Sequence, residues 1–251
     1  MLNYPIPFFV VSLFVLWLAA RLGAEWGGRA PLRDEEHEDF VFVQAAALTL
    51  LGLIIGFTFS MAVGRYDQRK NYEEAEANAI GTEYVRAGLL PASDVVRVRG
   101  MLAKYTDLRI AFYRTRNSQE LRQINAETGQ LQTDLWMAVQ GPALDRPSPV
   151  IALTLAGMND VLNSQGYTQA AWWNRIPTDA WGLMFAIAVG CNIAVGYGRR
   201  SSRVKNGQLL MLPLFLSIAF LLIADIDSPR RGLIHVRPQN MVSLSESLRK
   251  Q

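Results

Sequence analysis

The chain is poor in the side chains that most catalytic and metal sites need. It has two histidines, His37 and His235, far apart and with no ligand spacing around either. That leaves no local pattern for a zinc site or for His-based acid–base chemistry. Its one cysteine, Cys191, makes an intramolecular disulfide and a CxxC metal site impossible. Cys191 sits inside an apolar run and reads as a small buried side chain. A Walker loop, GxSxG, HExxH and a dinucleotide fingerprint are all absent, so the chain reads as a non-enzyme without a cofactor. The net charge of +3 carries no basic patch interleaved with aromatics, and nucleic acid is not an expected partner. Strand-like alternation is missing as well.

What the chain does have is long apolar runs. Half of its residues are hydrophobic, and they are strongly segregated. Four windows approach the roughly 20 apolar residues that span a bilayer core: Ile6–Leu22, Phe40–Val63, Ala180–Tyr197 and Leu209–Ile226. Charges enter them only near the ends, at Arg21 and Asp225. The first window lacks the basic n-region of a secretory signal, so it reads as a span. The lipid bilayer is thus the first partner.

The expected fold is all-α: an integral membrane protein with four transmembrane helices and a central helical bundle inserted between the second and third spans. Residues 1–64 hold the first two spans, 65–175 the bundle, 176–228 the last two spans and 229–251 a tail. Prolines divide the middle. The second span continues from Tyr66 to Leu90 as one helix, up to Pro91. Ser93 is the expected cap of a helix over Asp94–Arg116, and Asn117 or Ser118 that of a helix over Gln119–Val139. Gly141-Pro142 marks a stop, and Val150–Ser164 reads as one more helix. Trp172, Trp173 and Trp181 suit a membrane interface.

Basic residues do not fix the orientation. The GYGRRSSRVKNG loop, with Arg200, Arg203 and Lys205, argues for a middle domain outside, whereas RYDQRK argues for one inside.

Three constellations are candidates for function. The first is Gly52, Gly56, Ser60 and Gly64, small residues four apart within LTLLGLIIGFTFSMAVG. In a bilayer such a stripe lets two helix backbones approach closely. It serves either packing within the chain or packing of subunits around an axis. In the second case Ile54, Ile55, Phe57, Thr58 and Met61 include candidates for a pore wall, because an apolar ring can gate by dewetting. The second constellation is Glu73, Glu74 and Glu76, either a solvated face or charge at a pore mouth. The third is Asp225 and Asp227, at the membrane edge beside Arg230 and Arg231. These two carboxylates are either ion-paired and capped or weak metal candidates, and they fall short of an EF-hand pattern.

Taken together, LLGLIIGFTFSMAVGRYDQRKNYEEAEANAIGTEYVRAGLLP and DIDSPRRGLIHV resemble the bacterial bestrophin-like membrane family, over most of the chain. The resemblance implies a homo-oligomeric, pentameric ion channel with inorganic ions as cargo. It implies a bacterial inner membrane, a pore lined by the second span and a cytoplasmic middle. It does not carry over individual pore residues, because this span is rich in Gly and Ala, nor a calcium clasp, because basic residues follow Asp225 and Asp227. A membrane-anchored helical scaffold or sensor without a pore is the alternative. A transporter is disfavoured, because no span carries a charge at its centre.

Overall fold

In a computed structural model, residues 4–30, 32–199 and 206–250 are described. Arg200, Arg203 and Lys205 of the charged loop lie outside the described residues. Eight α-helices follow in order: α1 (Pro5–Arg29), α2 (Asp34–Arg86), α3 (Ala92–Arg114), α4 (Ser118–Asp145), α5 (Pro149–Trp173), α6 (Thr178–Tyr197), α7 (Asn206–Asp227) and α8 (Gln239–Leu248). A 3₁₀ turn, Ala87–Leu89, ends α2. No strand occurs among the described residues. Among the described residues four helical stretches are long and apolar enough to cross a membrane: Pro5–Arg29, Glu35–Leu89, Pro149–Tyr197 and Gly207–Asp227. In the second of these the uncharged part is Phe40–Val63, and the charged remainder of α2 lies beyond the span.

The chain forms two compact units. One comprises residues 1–65 and 175–235, the other 66–174 and 236–251. In the first, α1 packs against α6 and α7. Lipid offers no hydrophobic drive for this, so close backbone approach has to supply contact. The sequence supplies it with small residues. A Cβ on Gly23 would overlap the Ile193 carbonyl, one on Gly27 the Tyr197 carbonyl, and one on Gly196 the Ala20 carbonyl and the Ala24 nitrogen. Leu16, Met184, Ala188 and Phe220 fill the interior beside this crossing.

In the second unit, Ile80, Val98, Leu102, Tyr105, Leu135, Met158, Val161 and Met241 form the main core. Each helix brings its apolar stripe to it, as the 3–4 spacing predicts. Asn117 caps α4 by accepting from the Gln119 amide at 2.8 Å.

Several expectations are corrected. Pro91, rather than Ser93, precedes the first residue of α3. α4 does not stop at Gly141-Pro142 but runs through Pro142 to Asp145. Proline has no N–H, so the carbonyl four residues earlier, on Ala138, loses its helical donor. Arg97 Nη2 donates to that carbonyl at 3.4 Å. α5 extends to Trp173 instead of ending near Ser164. Of the three tryptophans assigned to an interface, two are core residues. Trp172 packs on Phe112 and Tyr113, at 5.0 and 5.4 Å between ring centroids. Trp181 packs edge-on against Phe8 at 5.2 Å. Trp173 alone is well exposed.

Candidate functional site

The apolar part of α2 has three distinct faces, because successive residues turn by about 100°. Leu51, Thr58 and Ala62 share one face and are buried. Thr58 also bonds back to the Ile54 carbonyl at 2.8 Å. Gly52, Gly56, Ser60 and Gly64 form a second face, and Ser60 is exposed. A Cβ on any of these three glycines would meet nothing within 4 Å. Among the described residues, packing within the chain, one of the two readings of this stripe, does not involve these glycines. The close crossing uses Gly23, Gly27 and Gly196 instead. Leu53, Phe57 and Met61 make a third face, also exposed. Thus Phe57 and Met61 lie together in the open, Ile54 is half-buried at their margin, and Thr58 points away from them.

The charged continuation of α2 buries Arg69, Glu73 and Glu76 and leaves Asp67, Lys70 and Glu74 exposed. Arg69, almost fully buried, donates from Nε to the Ala171 carbonyl and from Nη2 to the Asn174 carbonyl, both at 3.2 Å. It closes the C-terminal end of α5, where carbonyls lack partners and the helix dipole favours a cation. Glu73, equally buried, accepts from the Met241 amide at 3.0 Å and from Asn240 Nδ2 at 2.7 Å. It caps the start of α8, the end that favours an anion.

Glu76 sits in the interior beside Arg109, and both are fully buried. Arg109 Nε donates to Glu76 Oε1 at 2.5 Å, and Thr168 and Tyr113 hydroxyls donate to Oε2 at 2.9 and 3.4 Å. Burial and the neighbouring Glu76 carboxylate push the Tyr113 phenol up. Burial alone would lower Arg109, but Glu76 outweighs it and holds the guanidinium charged. Glu73 and Glu76 are thus anchors inside their unit, and of the three glutamates only Glu74 is exposed. Sequence reasoning passed over Arg109. Its signal was an arginine among apolar stripe positions of α3, between Leu108 and Phe112.

Asp225 and Asp227 are buried and engaged. Asp225 accepts from the Leu233 and Ile234 amides at 2.7 and 2.8 Å, which fixes the chain reversal after α7. Gly232 is required there, since a Cβ would overlap the Asp225 carbonyl. Asp227 accepts from the Ile176 amide at 3.1 Å and lies 3.4 Å from Arg175 and 3.8 Å from Arg65. These donors take the oxygen positions a cation would use. Among the described residues no cluster of His, Cys, Asp or Glu has metal-holding geometry.

A bestrophin-like domain model matches residues 6–241. A point variant of a bacterial bestrophin homologue from Klebsiella pneumoniae is similar in structure, with a TM-score of 0.68 at 12% identity over 96% of this chain and 98% of that one. Another crystal structure of a bacterial bestrophin homologue from that organism gives 0.66 at 12% identity, over 98% and 97%. At such identity the likeness speaks for the fold. No curated protein matches by sequence. Four helices of membrane length among the described residues accord with a domain match over nearly the whole length: the chain belongs to the bestrophin-like family.

Proposed function

We propose that this protein is an oligomeric ion channel of a bacterial cell membrane, with α2 of each copy around a central axis. Membership of the bestrophin-like family carries the reading, because bestrophins are ion channels. The faces of α2 support it. Phe57 and Met61 form an exposed apolar wall that nothing covers among the described residues. With Ile54 at its margin, that wall lines the pore and gates by dewetting. Thr58 steadies the helix from behind. Gly52, Gly56, Ser60 and Gly64 receive the α2 of the adjacent copy, since small side chains permit close approach. Glu74 is the remaining pore-mouth charge. Residues 66–174 form the central bundle, on the cytoplasmic side, and the assembly is a pentamer by resemblance.

Purified protein in a planar bilayer is expected to conduct ions. An assembled oligomer that passes no current would overturn the channel. A monomer by native mass spectrometry would overturn the axial pore and leave a membrane-anchored scaffold.

A further inference from the structure

The α2–α5 seam holds a carboxylate with no assigned task. Glu83 is fully buried, and neither of its carboxylate oxygens has a hydrogen-bond partner among the described residues. Its place is made by Gly157 of α5: a Cβ there would overlap Glu83 Oε2 and come within 2.6 Å of Arg86 Nη1. So the Glu83 carboxyl and the Arg86 guanidinium converge on one gap against α5 backbone. The same Arg86 nitrogen stands between Glu83 and a second carboxylate, and its ion pair is with the second. Arg86 Nη1 lies 4.0 Å from Asp160 Oδ2, and both side chains reach solvent. The backbone beneath Arg86 is pinned, because Thr154 Oγ1 donates to its carbonyl at 3.1 Å.

We propose that Glu83, Arg86 and Asp160 form a proton-operated ion-pair switch in the α2–α5 seam. A buried carboxylate without donors is unfavourable, so Glu83 is neutral in this arrangement. Arg86 then has only Asp160. When Glu83 loses its proton, the guanidinium, already beside it at Gly157, closes the remaining distance to the carboxylate and draws away from Asp160. The groups facing Glu83 are Arg86 from α2 and Asp160 from α5. The 3₁₀ turn Ala87–Leu89 carries no charge. On α3, Arg99 is engaged with the Tyr84 carbonyl and ring.

Burial pushes the Glu83 carboxyl up to about 8, with Arg86 opposing and Asp160 assisting. The folded state therefore keeps a proton that the unfolded chain releases above its ordinary value of 4.5. Stability contributed by Glu83 falls as pH rises from there to about 8 and levels off beyond.

The test uses the full chain in detergent and needs no conduction. Infrared difference spectra should contain a carboxylic-acid carbonyl band at neutral pH that disappears as pH passes about 8. Glu83→Gln should remove that band and flatten the fall of Tm with pH. Asp160→Asn should move the band's midpoint to lower pH, and Arg86→Met to higher pH. Should Glu83→Gln not fold, the wild-type band and the two opposite midpoint shifts still decide. A wild-type chain without the band at neutral pH, or a band indifferent to Asp160 and Arg86, would overturn the switch.

Discussion

Arg109 and Glu76 bury a full positive and a full negative charge with no solvent contact. Their pairing is costly to break from one side. Glu76→Gln leaves the guanidinium buried without its counter-charge and should cost about 3–5 kcal/mol. Arg109→Met in the same chain should return much of that loss, because an apolar partner needs no counter-ion. Denaturant unfolding of the two single variants and the double variant, read as a cycle, measures the coupling.

The glycines make a second contrast at this scale. Gly196→Val places its Cβ against the Ala20 carbonyl and the Ala24 nitrogen, so the backbones of α1 and α6 must part. Overpacking of this kind costs about 1–3 kcal/mol. Gly190→Ala, in the same helix but with open space around it, should leave Tm unchanged or raise it slightly. Thermal unfolding in detergent separates the two. Spacing shows that a helix has a small face; it does not say which helix meets it. Gly23 and Gly27 have the same four-residue spacing as the α2 stripe, and Ala188, Asn192 and Gly196 repeat it on α6. The contact was thus written in the sequence, yet it was outshone by the longer run on α2.

At the scale of elements, the helices that depend on composition were legible and those that depend on a tertiary partner were not. α2 is continuous over 53 residues because apolar and charged helix formers follow one another without proline. α8 is ten residues, too short to be stable alone, and exists because Glu73 caps it and Met241 is buried. Nothing local in QNMVSLSESL announces either partner. Pro142 misled for the same reason. Its helix survives because Arg97, remote in sequence, takes over the carbonyl that the missing N–H abandons. This yields a conditional prediction. Arg97→Met should cost about 1 kcal/mol, the net worth of one hydrogen bond. In a Pro142→Ala background the restored backbone amide would itself bond the Ala138 carbonyl, and Arg97→Met should then cost much less. Unfolding free energies of the four proteins would show the loss of coupling. Equal costs in both backgrounds would mean that Arg97 matters only through its pair with Asp94.

At the scale of the whole molecule, two of the three α2 glutamates hold the fold together instead of facing water or a pore mouth. A glutamate run on a helix looks the same in sequence whether it meets water or the ends of other helices. Glu73 and Glu76 meet a helix end and a buried arginine; Glu74 does not. Two faces of the apolar segment of α2, one small and one bulky, are open, and they make separable demands on an assembly. Gly56→Leu fills the small face without touching Phe57 or Met61. It should disturb close approach between copies, so native mass spectrometry is expected to find fewer complete oligomers and more free chains. Phe57→Ala leaves the small face intact and removes bulk from the adjacent one. Its oligomer should be unchanged while single-channel conductance rises, because a dewetting constriction widens and becomes easier to hydrate. The combination distinguishes the roles: assembly should follow the glycines and current the bulky residues. If Phe57→Ala dissociates the oligomer while Gly56→Leu leaves it whole, the bulky face is the subunit contact. The pore wall must then be sought on the small face, where Ser60 would supply its one hydroxyl to a passing ion.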